Sequence, residues 1–285
     1  MKNFSGKVAA ITGAGSGIGQ ATAIALAKSG CHLSLSDVND KGLAQTLDKL
    51  QPYRVKVTLH HVDVGDRAAV YQYAEDTVKE HGKVNLIINN AGVGLGETVE
   101  AMSYENFEWL MNINFWGVVY GTKAFLPHLK QSGDGHVVNI SSIFGIIGVP
   151  TQSAYNAAKF AVRGFTESLR EELDLEGGCV SATCVHPGGV KTNIARNSRM
   201  GEMGSMSMGG QDEIAAMFDR IAMSTPEQAA KAILGGVQKN QRRVLIGADA
   251  VLMDTTQRLM PTGYQRALET LFRMNKGRGA KATTV

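Results

Sequence analysis

Short apolar runs closed off by turn residues recur at Val8–Ile11, Leu33–Ser36, Val57–His61, Val84–Ile88, Val137–Ile140 and Val180–Val185, and a last one covers Arg243–Ile246. Runs this short, rich in β-branched residues and bounded by Gly, Asn and Asp, predict buried strands. Between them apolar positions return every third or fourth residue, at Gln20–Lys28, Lys41–Leu50, Ala68–Glu80, Tyr104–Leu129 and Ala154–Leu175, which predicts helices. Strand and helix in alternation predict an α/β fold: a doubly wound parallel sheet with helices on both faces, in three layers. No linker or internal repeat divides residues 1–250, so they are expected to form one domain, with 251–285 as a C-terminal helical extension and basic tail.

Two segments break the pattern. Residues 193–224 contain "NSRMGEMGSMSMGGQ", too rich in Gly, Met and Ser for a regular element, and are expected to be a mobile flap. Near the end Tyr264, Leu268, Leu271 and Phe272 share one helical stripe ahead of the basic tail. Three roles stand open for this stripe: capping a pocket, joining a subunit contact, or lying on a membrane surface with help from Arg266, Arg273, Lys276 and Arg278.

The 285 residues are enough for a sizeable core, and 44% hydrophobic with 19% charged residues is the composition of a globular chain. A formal charge of +3 gives no ground for nucleic-acid binding. Cys31, Cys179 and Cys184 are odd in number and lack CxxC spacing, so neither a disulfide framework nor a zinc cage is expected. His60, His61 and His186 likewise lack metal-ligand spacing. The N-terminal stretch has no apolar core of a secretion signal and no run is long enough to span a bilayer, which points to a cytoplasmic protein.

"VAAITGAGSGIGQATAIALA" reads as strand, glycine loop and helix, an order that aims a helix N-terminus at a phosphate. Gly13, Gly17 and Gly19, with Ser16 and Ile18 among them, follow Thr12; a Cβ at the glycines would hold a pyrophosphate away from the backbone amides. Asp37 ends the second expected strand, where a carboxylate accepts hydrogen bonds from adenosine ribose hydroxyls and repels a 2′-phosphate. NAD is therefore favoured over NADP, with Lys41 the one nearby cation working the other way.

Tyr155 and Lys159 stand one helical turn apart, so their side chains can reach one object. Together with Thr12–Gly19, Asp63-Val64, Asn89-Asn90-Ala91-Gly92, Asn114, Ser142 and Pro187-Gly188, they form an ordered series that resembles the classical short-chain dehydrogenase/reductase family from about Lys7 to about Gly247. The resemblance implies a seven-stranded Rossmann-like sheet, a nicotinamide cofactor, interconversion of an alcohol and a carbonyl, and a homodimer or homotetramer assembled through the helices that carry Asn114 and Tyr155. By the same resemblance, Asp63 and Val64 hold the adenine, Asn90, Ala91 and Gly92 line the cofactor floor, and Pro187, Gly188, Val190 and Thr192 hold the carboxamide. Gly189 is smaller than the side chain common there in the family and is expected to leave room near the substrate.

Hydride transfer from an alcohol must be matched by removal of its proton, so the site needs a base. Tyr155 is a poor base alone; a neighbouring Lys159 ammonium and a positive nicotinamide ring both favour its phenolate. Lys159 also binds the nicotinamide ribose in the family. Ser142 can hydrogen-bond the reacting oxygen, and Asn114 resembles the residue that holds a water linking Lys159 to solvent. Phe144, Val149 and Gln152 are expected at the substrate, joined by the flap, whose Met200, Met203, Met206 and Met208 either fold over an apolar, steroid- or lipid-like body or belong to a plain solvent loop. A non-catalytic dinucleotide-binding regulator and a membrane-surface scaffold are the alternative classes.

Overall fold

The computed structural model describes residues 1–201, 211–270 and 273. Its elements in chain order are β1 (Val8–Thr12), α1 (Gly17–Lys28), β2 (His32–Asp37), α2 (Asp40–Leu50), β3 (Val57–His61), α3 (Arg67–His81), β4 (Leu86–Asn89), β5 (Leu95–Gly96) and α4 (Tyr104–Met111). A π-helical turn, Asn112–Trp116, then leads into α5 (Gly117–Gln131), β6 (Gly135–Ile140), α6 (Ser153–Glu176), β7 (Val180–Pro187), β8 (Arg199–Met200), α7 (Gln211–Ile221), α8 (Pro226–Gln238), β9 (Arg243–Ile246) and α9 (Ala248–Leu259). A further helical stretch covers 263–270.

All seven strands expected from the apolar runs join one sheet, ordered β3-β2-β1-β4-β6-β7-β9, every pairing parallel. The sheet's two faces take alternate residues of the strands. Ala9 and Ile11 pack with Leu26, Leu43 and Ile233 of α1, α2 and α8. Ala10 packs with Tyr73, Phe125 and Leu169 of α3, α5 and α6. Strands covered on both sides have no polar face, which is why they read as continuous apolar runs. The chain reverses its direction of travel across the sheet between β1 and β4, and a crevice opens there at the strands' C-terminal ends.

Local chemistry fixes the helix ends. Asn39, Asp66 and Ser103 cap α2, α3 and α4, and Thr225 with Gln228 forms a capping box on α8. At α1, Ser16 gives the N-terminus no side-chain bond, and no acidic residue lies in the first turn.

The structure departs from the sequence reading in two places. The apolar run expected as one helix over Tyr104–Leu129 is interrupted by the π turn at Asn112–Trp116, with Asn114 buried at its centre. The segment 193–224, expected to lack regular structure, contains the helix Gln211–Ile221 and the short strand Arg199–Met200, which pairs with Leu95–Gly96. Met203, Met206 and Met208, like Leu271, Phe272, Lys276 and Arg278, lie outside the described residues. No helix among the described residues is long and apolar enough to cross a membrane.

Two buried histidines set an acid limit on stability. His136 holds Thr183 through Nε2 (2.8 Å) while its Nδ1 has no partner, and burial pushes its pKa down to about 3. Burial pushes His186 down to about 4 despite its bond to the Ser142 carbonyl. Between pH 6.5 and 4 the unfolded chain takes up protons that the folded chain refuses, so stability falls as pH falls. We expect each histidine to cost roughly 3 kcal/mol across that window. His136→Asn should flatten the slope of Tm against pH; an unchanged slope would refute the assignment.

Candidate active site

The crevice is floored by β1 and β4. Thr12 closes it: its Oγ1 accepts from the Asn90 and Ala91 amides (3.0 and 3.1 Å), while Asn90 Nδ2 donates back to the carbonyls of Thr12 and Gly13 (2.9 and 3.1 Å). The chain must turn tightly there. Gly13 has φ +66°, and a Cβ on it would stand 2.8 Å from Ala91 Cα; a Cβ on Gly19 would drive into the Gly13 carbonyl. Gly17, at φ +53°, lies under the Thr192 methyl, with half-buried Ile18 behind it.

This loop delivers the uncapped N-terminus of α1, whose free amides suit an anion. A cleft of about 440 Å³ opens beside it, lined by Gly17, Lys191, Thr192, Asn193, Arg196 and Pro226. Asp37 reaches the same loop: Oδ2 accepts from the Gly15 amide (2.8 Å) and Oδ1 from Asn39 (3.0 Å). Each oxygen keeps lone-pair capacity for a ribose hydroxyl. Exposed Asp63 accepts from Gly65, and Val64 packs against Gly117. These residues fit a dinucleotide: a phosphate cradle, a ribose carboxylate and a polar adenine edge in one row.

Beyond the glycine loop lie the residues expected to react. Gly92 lies against Asn114 and Lys159, a Cβ there falling 3.1 Å from Asn114 Oδ1 and 3.6 Å from Lys159 Nζ. Asn114 is held to Val93 at both ends, Oδ1 accepting from its amide and Nδ2 donating to its carbonyl (2.8 Å each). One N–H and one lone pair of its side chain stay unspent in those bonds. Pro187 ends β7, the Gly188 amide donates to Ile246 (2.9 Å), and buried Val190 bridges to Ser224.

Ser141 and Ser142 part company. Ser141 Oγ donates to the Lys159 carbonyl (2.8 Å), whereas Ser142 lies against Tyr155 and accepts from the Phe144 amide (3.1 Å). Phe144 meets the Tyr155 ring edge-on at 6.0 Å between centroids. Lys159 is almost wholly buried; its Nζ donates to the Ile140 carbonyl (3.0 Å) and sits 5.5 Å from the centre of the Tyr155 ring. Burial dominates both groups. It pushes Tyr155 up to about 12, against a smaller pull from its Ser142 hydrogen bond, and pushes Lys159 down to about 8.

The space expected beside Gly189 is not open. A Cβ there would stand 2.9 Å from Ala222 Cα, because the chain leaving α7 packs against it. The Gly189 amide also donates to Asp249 Oδ2 (2.6 Å), so α9 holds this turn from behind.

Several site residues escaped the sequence reading. Asn156 donates to the carbonyls of Phe144 and Ile147 (2.7 and 2.8 Å) and accepts from Val149 (3.1 Å), fixing the loop between Ser142 and α6. Glu97, a buried carboxylate, accepts from Asn106 (3.1 Å), and its amide donates to Thr151 (3.0 Å), a non-glycine residue at φ +65°. Lys191 stood in the segment read for the carboxamide and Arg196 in the one read for its methionines, and charge was the sign of each.

Comparison with known proteins agrees with this geometry. Residues 7–203 match the profile described as short chain dehydrogenase, and the chain belongs to the short-chain dehydrogenase/reductase family. It is 49% identical over 269 residues to the putative oxidoreductase SadH of Mycobacterium tuberculosis, spanning 93% of this chain and 95% of that one. It is 31% identical to human estradiol 17-beta-dehydrogenase 11 over 94% of this chain and 84% of that one. Among solved structures, a short-chain dehydrogenase/reductase from Burkholderia phymatum in complex with NAD superposes with TM-score 0.82 at 31% identity, covering 90% of this chain and 95% of that one. Levodione reductase superposes with TM-score 0.77 at 28% identity, covering 88% and 99%. The protein is thus an oxidoreductase of this family acting on CH–OH donors with a nicotinamide dinucleotide.

The cradle makes a direct forecast. Gly19→Ala should weaken NADH binding, read by fluorescence titration, by at least about tenfold, since its methyl meets the Gly13 carbonyl. Unchanged affinity would show that the loop does not seat the cofactor.

Proposed function

We propose that this chain is an NAD-dependent dehydrogenase/reductase that interconverts a secondary alcohol and a ketone on an apolar body, with Tyr155 as the general acid and base. The observation that carries the reading is the convergence of partly buried Tyr155 with buried Ser142 and Lys159 in one site, beside the glycine cradle and Asp37.

Bound nicotinamide supplies the hydride to the carbonyl carbon or accepts it from the alcohol. In reduction Tyr155 gives its hydroxyl proton to the oxygen that becomes the alcohol, and in oxidation it takes that proton back. The Ser142 hydroxyl donates to the same oxygen and stabilises its developing charge. The Lys159 ammonium favours the phenolate and binds the nicotinamide ribose, and the unspent polar capacity of Asn114 holds a water toward solvent. Asp37 takes the adenosine ribose hydroxyls and disfavours a 2′-phosphate. Phe144, Val149 and Gln152 wall the substrate, Phe144 by its contact with Tyr155.

Residues 1–250 carry this chemistry, and 251–285 extend it. The same reading includes a homo-oligomer through the helices of Asn114 and Tyr155, where Trp116 and Phe160 expose large apolar side chains.

Absorbance of reduced nicotinamide, followed with a panel of apolar secondary alcohols and ketones, tests the proposal. Turnover with NAD(H) above NADP(H), lost by at least about a hundredfold in Tyr155→Phe with NADH affinity kept, is expected. An active Tyr155→Phe enzyme would refute the mechanism, and cofactor binding without turnover of any substrate would favour a regulator. Asp37→Ala should weaken NAD(H) binding by about tenfold or more, two ribose hydrogen bonds to a charged group being lost; equal affinity would refute the ribose contact.

A further inference from the structure

The loop between Ser142 and α6 carries Phe144, Val149 and Gln152 and is braced from inside by Asn156. A second brace reaches it from the C-terminal extension. Tyr264, in the helical stretch 263–270, is 8% exposed, and its hydroxyl oxygen accepts the Gly148 amide at 3.1 Å. Its ring packs with Ile146 and Ile147, and Val149, Leu245, Met253 and Leu268 complete the cluster. Gly148 is the one loop amide that reaches outward for its partner, beside Val149, whose amide turns inward to Asn156.

We infer that Tyr264 is a positioning residue: its hydroxyl pins Gly148, so the C-terminal extension sets the position of Val149 and Phe144 and thereby the fit of the apolar substrate. This rests on the oxidoreductase reading for the substrate's presence, though not for the brace itself. Tyr264 and Leu268, two members of the stripe seen in the sequence, thus serve the chain's own active site. Selectivity for the substrate body resides partly in residues far along the chain from the catalytic series, and the cofactor row, anchored separately by Thr12, Asp37 and Asn90, does not depend on it.

Tyr264→Phe keeps the ring and removes only the acceptor, so folding is not at stake. In amide hydrogen exchange, a peptide covering 143–152 should exchange about three- to tenfold faster at Gly148 than in the unaltered protein, with the glycine loop unchanged, because one hydrogen bond is lost. With the best substrate of the panel, KM should rise about three- to tenfold while kcat and NADH affinity hold. Unchanged exchange at Gly148 would overturn the brace. Faster exchange with unchanged KM, or a fall in kcat or NADH affinity in place of the KM change, would overturn the positioning role. If the unaltered protein turns over nothing, the oxidoreductase reading fails, and the exchange measurement alone decides whether Tyr264 holds the loop.

Discussion

The withdrawal from water of buried Lys159 and partly buried Tyr155 is the constraint on which the proposed site depends. A phenol partly withdrawn from water holds its proton, and a buried ammonium tends to lose its own, so desolvation works against the charges that proton transfer needs. The protein's countermeasures are positional. Lys159 is one turn from Tyr155 and tied to the Ile140 carbonyl, and Ser142 offers a hydrogen bond. Alone, these do not bring Tyr155 into the neutral range. On the mechanism proposed above, the remaining shift comes with the cofactor, which would couple readiness for chemistry to occupancy of the site.

Side-chain bonds hold the loops around the crevice in place. Thr12 and Asn90 lock the ends of β1 and β4 together, His186 holds the Ser142 carbonyl, Ser141 holds the Lys159 carbonyl, and Asp249 holds Gly189. A misplacement of about 1 Å between hydride donor, reacting carbon and phenol would cost orders of magnitude in rate. Rigid side-chain to backbone bonds are the means of avoiding it.

The sheet was legible because central strands covered on both faces cannot hide their apolar runs, as at Val8–Ile11 and Val180–Val185. The glycine loop and the Tyr155–Lys159 pair could be read as candidates because each is a spacing within a few residues of chain, and Asp37 because it ends an apolar run. Asp249 was not, and Tyr264 showed only as part of a stripe, since their bonds to Gly189 and Gly148 cross long stretches of chain; Asn156 and Glu97 act over shorter spans, through side-chain bonds that leave no periodicity. Gly189 misled for a related reason: its missing side chain suggested space, but only the fold shows Ala222 filling it. The break at Asn114 was hidden inside an unbroken apolar pattern, because a π turn inserts a residue without changing composition.

The most direct test of the central claim is the Tyr155 pKa itself, read by NMR with ring-labelled tyrosine, with and without NAD⁺ and again in Lys159→Ala. The expected result is a value near 12 in the protein alone and a fall of at least about two units when NAD⁺ binds, smaller in Lys159→Ala. A Tyr155 pKa that stays near 12 with NAD⁺ bound, or that falls equally without Lys159, would contradict it.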